Sequence, residues 1–175
     1  MAANKSQEAS SSTSRCAYQV FLSFKGKDTR MTFTDHLYTA LNDAGFRTFV
    51  DDDGIGRGED IKSEQEKAIQ ESRMSIIVLS KNYASSTRCL EELVMILKRR
   101  TCGHVVLPVF YDVDPSEVRK QIGSFKDAFM MREQEIEMET SGRRQELKGK
   151  VEEWRAALKE VADLAGMNLQ NQADG

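Results

Sequence analysis

The sequence predicts one α/β domain built on a doubly wound, mainly parallel sheet. Short apolar segments alternate with amphipathic helical segments from residue 18 to residue 166, and this alternation indicates β-α-β units. Right-handed crossovers between parallel strands then place helices on both faces of the sheet. The 175 residues, of which 39% are hydrophobic and 30% are charged, are suited to one domain with a single core.

Four strands are predicted from short apolar runs. They cover residues 18–24 (YQVFLSF), 47–50 (RTFV), 74–79 (MSIIVL) and 105–111 (VVLPVFY). Continuous apolar runs of this length are typical of parallel strands that are buried on both faces. Since Pro108 cannot donate a ladder hydrogen bond, we expect the fourth strand to lie near a sheet edge or to be locally irregular.

Helical periodicity predicts the segments between the strands and after them. An apolar stripe over residues 33–44 marks the first helix, which Asp28 or Thr29 can cap and which Gly45 ends. Further helices are predicted over residues 61–71, 88–100 and 151–165, with a charged helix and a loop over residues 130–150.

The two ends of the chain are predicted to lie outside the domain. Residues 1–16 are polar and rich in serine, so we expect a disordered tail that buries too little apolar surface to become ordered. The domain itself is predicted over residues 17–167. Residues 168–175 are expected to form a frayed end.

The composition argues against several functional classes. A formal net charge of −3 is not typical of a nucleic-acid-binding protein. No apolar run reaches the roughly 18 residues that span a bilayer, so no membrane segment is expected. The odd number of cysteines and the lack of metal-ligand spacing predict reduced thiols in a cytoplasmic protein, with neither a disulfide framework nor a metal site; the cysteines are Cys16, Cys89 and Cys102.

Ligands of doubly wound sheets bind outside the carboxyl ends of the strands, which directs attention to three predicted loops at residues 24–30, 51–60 and 80–92. The first carries Lys25, Lys27 and Arg30 near a helix start. These groups suit a phosphate, although a tight turn with solvated charges is an equally simple interpretation. The G-x-x-x-x-G-K-[ST] phosphate loop is absent, which argues against an NTPase of that type.

The second loop contains Gly54, Gly56 and Gly58 around Arg57. Three glycines so close together favour a mobile lid or a contact surface, and an ordinary surface loop is the alternative. The spacing does not match a dinucleotide-binding fingerprint, because such a fingerprint must follow the first strand.

The third loop leads into the pair Glu91 and Glu92. One interpretation is that these acidic residues lie in the first turn of a helix and offset its dipole. The other is that one carboxylate faces the crevice beside Lys25. A carboxylate there can hold ribose hydroxyl groups or stabilise a developing oxocarbenium ion.

Several long motifs resemble a plant Toll/interleukin-receptor (TIR) domain, and they occur in that family's order. The segment WRAALKEVADLAG at residues 154–166 resembles the closing helix of the family. The other motifs are FLSFKGKDTR at 21–30, DDDGIGRGEDI at 51–61, SIIVLSKNYASSTRCLEEL at 75–93 and LPVFYDVDPSEVRKQIGSF at 107–125.

The resemblance implies a flavodoxin-like fold and a role in plant immune signalling. Many plant members cleave NAD⁺ at the nicotinamide N-glycosidic bond, and their catalytic glutamate stands directly before the leucine of a C-L-x-E-L segment. That position is Glu92 here, and its implied role is to bind the nicotinamide-side ribose and stabilise positive charge. Phe24, Lys25 and Arg30 are implied to lie near the base and phosphates of the substrate, with Arg88 beside them.

The resemblance also implies that activity depends on self-association of TIR domains. The mobile loop containing Gly56, Arg57 and Gly58 is expected to reach a neighbouring protomer. Self-association faces are implied around Asp35 and His36 and near Gly166. NAD⁺, with NADP⁺ as an alternative, is expected as substrate, so no cofactor is predicted; the expected location is the cytoplasm, with the nucleus as an alternative.

This chain departs from the family pattern at positions that bear on activity. Arg88 stands where tryptophan is usual, Lys25 where arginine is usual, and Asp35 where a small residue is usual. The remaining departures are Lys27, where glutamate is usual, and Ser63 and Gln65, where proline and leucine are typical. Two hypotheses follow: an NAD⁺-cleaving enzyme activated by self-association, or a non-catalytic module that signals through TIR–TIR contacts.

Overall fold

The computed structural model describes residues 16–50 and 59–170. Within these ranges, five parallel strands form one sheet in the order β2-β1-β3-β4-β5. The strands are β1 (Tyr18–Phe24), β2 (Thr48–Val50), β3 (Ser72–Leu79), β4 (Val105–Tyr111) and β5 (Met167–Leu169). This is the flavodoxin-like order of a doubly wound sheet, so the predicted fold class is confirmed.

The fifth strand corrects the predicted frayed end for residues 168 and 169, whereas residues 171–175 of that prediction lie outside the described residues. Asn168 and Leu169 belong to β5, where they pair with Phe110 and Tyr111 of β4. Three residues are too few to show a strand pattern in the sequence, and pairing with β4 creates this strand.

Pro108 lies inside β4, which is not an edge strand because β5 covers it on the outside. β4 pairs with β3 from Val105 to Phe110 and with β5 only from Val109 onwards. The proline therefore lies just before the part of β4 that is paired on both sides. This position explains how the strand tolerates a residue without an N–H group.

Seven α-helices connect or follow the strands in the described residues. They are α1 (Gly26–Thr29), α2 (Asp35–Asp43), α3 (Glu59–Gln70), α4 (Thr87–Arg99), α5 (Pro115–Lys120), α6 (Ser124–Glu137) and α7 (Arg144–Ala162). A π-helical turn, Arg30–Thr34, joins α1 to α2. The predicted helices are confirmed, with shifted bounds.

The first helical segment begins earlier than the sequence pattern predicts. α1 starts at Gly26, directly after β1, so the predicted loop at residues 24–30 is largely helical. Asp28 and Thr29 consequently lie inside the helical segment and do not cap it. The predicted end is confirmed, since Gly45 follows the last turn of α2 with φ at +89°.

Helices cover both faces of the sheet, as the alternation predicts. On one face, Val20, Leu22 and Phe24 of β1 form a core with Leu37 and Leu41 of α2. On the other face, the second core joins β1, β3 and β4 to residues from α3, α4, α5, α6 and α7. Successive side chains of β1 therefore point alternately into the two cores, so β1 takes part in both.

Gly166 lies directly before β5 and packs against Pro108. A Cβ atom at residue 166 would overlap the carbonyl oxygen of Pro108 and would lie 2.7 Å from its Cγ. Only glycine, which has no Cβ atom, allows this close approach to Pro108. The residues that follow Gly166 then pair with β4 as strand β5. The role of Gly166 in self-association stays a prediction beside this packing role.

Replacing Gly166 with alanine should lower the free energy of unfolding by about 1–3 kcal/mol, because the added methyl group must displace backbone atoms of β4. Chemical denaturation at low protein concentration measures the change. Gly149→Ala is the matched control, since Gly149 lies within α7 and an added Cβ there meets no atom within 4 Å. That control should stabilise the helix by up to about 1 kcal/mol. Equal effects of the two substitutions would contradict the packing role.

Candidate active site

The candidate site lies at the carboxyl ends of β1 and β3, the point where the order of the parallel strands changes direction. In doubly wound sheets this switch point opens the crevice in which ligands bind. The segment after β3 contains a short 3₁₀ turn, Tyr83–Ser85, and leads into α4. The side chain of Ser86 caps α4 by accepting a hydrogen bond from the backbone N–H of Cys89 at 3.3 Å.

Glu91 and Glu92 are the fifth and sixth residues of α4, beyond its first turn. The interpretation of this pair as first-turn charges that offset the helix dipole is therefore wrong, because the Ser86 cap starts the helix at Thr87. The two carboxylates also have different surroundings. Glu91 is half-buried and lies 3.4 Å from the ammonium group of Lys150, whereas Glu92 is only 3% exposed.

The carboxylate of Glu92 accepts hydrogen bonds from two buried side chains. The Ser23 hydroxyl, on β1, donates to Oε2 at 2.7 Å. The Gln65 side-chain amide, on α3, donates to Oε1 at 3.0 Å. A buried carboxylate is costly without such donors, so these bonds stabilise the charge where it lies between β1, α3 and α4.

Arg88 lies one helical turn before Glu92. Its Nε is 3.7 Å from Glu92 Oε1, which makes an ion pair at i,i+4 spacing on α4. The Arg88 side chain is 28% exposed and that of Glu92 is 4% exposed, so the pair is well shielded from water. The structure therefore brings together the predicted catalytic glutamate and the arginine that stands where the family usually has tryptophan.

Tyr83 contacts Ser23 and so belongs to the same buried group of hydrogen-bonded side chains as Glu92. Its hydroxyl lies 2.8 Å from Ser23 Oγ and 3.0 Å from the carbonyl oxygen of Cys89. Because Ser23 gives its proton to Glu92, the single proton of Tyr83 serves one of these two acceptors at a time. Burial raises the pKa of Tyr83, and the neighbouring Cys89 and Glu92 add to this rise, so the phenol remains a neutral donor.

Asp28 ties the end of β1 to the segment after β3. Its Oδ2 accepts from the Ser80 hydroxyl at 2.6 Å and from the Asn82 backbone N–H at 2.9 Å, and its Oδ1 accepts from the Asn82 amide at 2.8 Å. Burial on its own would raise the pKa of Asp28, but these bonds, with the charge of Lys25, lower it. The carboxylate thus joins the two walls of the crevice.

Three of the four residues predicted to bind substrate lie between the end of β1 and the start of the π-helical turn, which form the first wall of the candidate site. The fourth, Arg88, lies on α4. Phe24 is buried at the end of β1, and its carbonyl oxygen accepts from the Cys89 thiol at 3.4 Å. Lys25 is half-buried between β1 and α1, and its charge acts on Asp28. Arg30 is half-buried at the start of the π-helical turn. Their contact with a substrate stays a prediction.

The remaining predicted site residues lie elsewhere. Asp35 and His36 are exposed in the first turn of α2, so their side chains are accessible on the surface of the described chain. Gly166 is exposed next to β5, where it also packs on Pro108. The predicted mobile loop, with Gly56, Arg57 and Gly58, falls outside the described residues.

Three contributors to the site were not predicted from the sequence. Ser23 has one usable signal, since it is a polar residue near the carboxyl end of an otherwise apolar strand. Tyr83 lies in a polar segment that gives no indication of its burial. Gln65 was identified only as a departure from the family pattern, not as a partner of Glu92.

The described residues contain neither a metal-binding cluster nor a membrane-spanning helix. In that part of the chain, no group of three or more histidine, cysteine or acidic side chains could hold a metal ion. Nor does any helix of residues 16–50 and 59–170 have the length and apolar character needed to cross a membrane.

Comparison with known proteins bears on the whole chain. The TIR domain family model matches residues 17–175. Disease resistance protein RPV1 of Vitis rotundifolia is 50% identical over 97% of this chain and 12% of its own length, and TMV resistance protein N of Nicotiana glutinosa is 48% identical over 90% and 13%. The chain thus spans about an eighth of these relatives.

A solved structure agrees with these matches. It contains the TIR domains of the activated Roq1 resistosome, which directly recognizes the pathogen effector XopQ. The two folds superpose with a TM-score of 0.75 at 49% identity, over 91% of this chain and 92% of that one.

Replacing Asp28 with asparagine should weaken the link between the two crevice walls. The asparagine side chain would accept with one oxygen only and would turn an N–H₂ group towards donors, so the free energy of unfolding should fall by about 1–3 kcal/mol at neutral pH. Since the folded-state pKa is below 3.8, the contribution of Asp28 is present above about pH 3.8 and is lost as pH falls through the folded-state value. The acid side of the stability profile should therefore flatten in Asp28→Asn.

Urea denaturation between pH 3 and pH 7 measures both effects. The matched control is Asp43→Asn, because Asp43 is exposed at the end of α2. That substitution should change stability by less than about 0.5 kcal/mol. If both variants had the same profile as the parent chain, the structural role of Asp28 would be refuted.

Proposed function

The chain belongs to the TIR domain family, and on this basis we propose that it cleaves NAD⁺ at the nicotinamide N-glycosidic bond when its TIR domains self-associate. The observation that carries the proposal is the buried Glu92 carboxylate at the switch point of the sheet, held by Ser23 and Gln65. In the reaction, the bond between C1′ of the ribose and the nicotinamide nitrogen breaks, and its electron pair leaves with nicotinamide. Water then adds to C1′ and loses a proton to the solvent, which gives ADP-ribose.

Glu92 has the chemistry that this step requires. A carboxylate has about four lone-pair sites, so each of its oxygens can accept more than one hydrogen bond. It can therefore accept hydrogen bonds from ribose hydroxyl groups as well. Its negative charge, held away from water, would stabilise the positive charge that develops on the ribose in the transition state.

The first wall of the crevice supports a dinucleotide substrate. Lys25 and Arg30 would hold the phosphates, and Phe24 would lie near a base. NADP⁺ differs from NAD⁺ by one phosphate and is the alternative substrate. Because the substrate itself supplies the leaving group, the proposal requires no cofactor.

Self-association is proposed because Glu92 is only 3% exposed within one chain. Substrate can reach the carboxylate only if neighbouring groups move, and contact with a second TIR domain could provide this change. The Roq1 resistosome contains TIR domains, and the named relatives are disease resistance proteins. We extend these roles to the present chain as a proposal: TIR–TIR contact in plant defence, in the cytoplasm or the nucleus.

A second candidate function is a TIR–TIR interaction module without catalysis. The ion pair between Arg88 and Glu92 favours it, since the guanidinium group partly neutralises the charge that the reaction would need. The two functions differ in whether the Glu92 charge is used. They can therefore be separated by substitutions at residues 88 and 92.

Replacing Glu92 with glutamine should lower nicotinamide release by roughly 100-fold, because the amide keeps the shape of the side chain and removes its charge. The measurement is nicotinamide release from NAD⁺ over a series of protein concentrations, with self-association followed by light scattering. Glu91→Gln, one residue earlier on α4, is the control and should keep the parent rate. No release by the parent chain at any concentration, or equal release by Glu92→Gln, would exclude the catalytic proposal.

Removing the charge of Arg88 should raise the rate of nicotinamide release roughly tenfold, since positive charge beside Glu92 opposes positive charge on the ribose. Both Arg88→Gln and Arg88→Trp should show the gain, and tryptophan adds a stacking surface for the base. Arg88→Lys keeps the charge and should not show it. If the uncharged variants release nicotinamide no faster than the parent chain, the charge of Arg88 does not slow the reaction. The ion pair would then give no support to the non-catalytic interaction module.

A further inference from the structure

Gln65 is the residue from which a further inference can be drawn, and the inference rests on the proposed NAD⁺ cleavage. We infer that Gln65 is a positioning residue that fixes the orientation of the Glu92 carboxylate for catalysis. It lies on α3, separated by 27 positions in the sequence from Glu92 on α4, and it is 4% exposed.

The chemistry of the contact sets the direction of the hydrogen bond. An ionised carboxylate can only accept, so the Gln65 amide must present its N–H₂ group, and Nε2 lies 3.0 Å from Glu92 Oε1. Hydrogen bonds to charged groups are about twice as strong as those between neutral groups. The contact is therefore strong enough to select one orientation of the Glu92 side chain.

Two donors on two different elements hold the two oxygens separately. Ser23 donates to Oε2 from β1, and Gln65 donates to Oε1 from α3. The terminal torsion of a glutamate is broad, so each donor narrows the range of carboxylate orientations, and the 3.7 Å ion pair with Arg88 is longer than either hydrogen bond. With both oxygens held, the lone pairs that face the crevice keep a fixed direction.

The position of Gln65 on α3 argues against a role in packing alone. Ala68 and Ile69, on the same helix, belong to the apolar core. A buried amide costs free energy unless it is hydrogen-bonded, and an apolar side chain of equal length would fill the same space. The free energy that burial of this amide costs is offset by its bond to Glu92.

The test replaces Gln65 with methionine, which is unbranched and similar in length but has no donor. Nicotinamide release by Gln65→Met should show kcat lowered roughly tenfold with KM changed less than about twofold, because the proposed phosphate and base contacts of the substrate are kept while Glu92 loses its orientation. Gln70→Met is the matched control, since Gln70 is the exposed last residue of the same helix. Its kcat and KM should equal those of the parent chain.

A spectroscopic measurement tests the contact without relying on activity. In a ¹H–¹⁵N spectrum, the side-chain amide signals of Gln65, assigned through the connectivity of the parent chain, should shift when Glu92 is replaced with glutamine. The Gln70 signals should stay in place. This measurement uses Gln65 in its native form, so it holds even if Gln65→Met fails to fold.

Three results are decisive. Shifted Gln65 signals together with the selective loss of kcat support the positioning role. Unshifted Gln65 signals, or a kcat for folded Gln65→Met equal to that of the parent chain, overturn it. If the Gln65 signals shift in Glu92→Gln but the parent chain releases no nicotinamide, the proposed function is overturned. The hydrogen bond between Gln65 and the Glu92 carboxylate is still supported.

Discussion

The burial of one negative charge, that of Glu92, is the constraint on which the candidate site depends. A carboxylate withdrawn from water is costly unless donors and positive charge surround it. Ser23, Gln65 and Arg88 supply these groups from β1, α3 and α4. The three elements must therefore keep their relative positions for the charge to stay paired. Stability of the fold and geometry of the site are consequently set by the same contacts.

The sequence pattern predicts the sheet well because a buried strand has a strong local signal. The four apolar runs all became strands, and β4 has the predicted bounds. Elements that depend on tertiary contacts were missed. β5 exists through its pairing with β4, and the turn at Gly26 became α1, where Ser80 and Asn82 hold Asp28. β4 is far from β5 in the sequence, and Ser80 and Asn82 are far from Asp28. Local propensity therefore cannot predict these contacts.

The candidate site was predicted only in part. The residues around Glu92 allowed two interpretations: a charge that offsets the helix dipole, or a carboxylate that faces the crevice. The family resemblance favoured the second. The structure excludes the first-turn position and buries the carboxylate, while its catalytic role stays a prediction. The donors Ser23 and Gln65 could not be paired with it from the sequence, because they come from other elements 69 and 27 positions away. The family pattern also treats Gln65 as an exception, so it gave no guidance to the contact.

The parallel direction of β5 has a consequence for how the domain is tethered. Leu169 pairs with Tyr111 at the carboxyl end of β4, so the chain leaves the sheet on the rim that also holds the crevice. β5 is two strand spacings, about 10 Å, from β3 across the sheet. A group attached at residue 170 would therefore start close to the candidate site, and a long flexible linker would lower its effective concentration there. The last described residues thus leave the sheet on the same side as Glu92 and its donors.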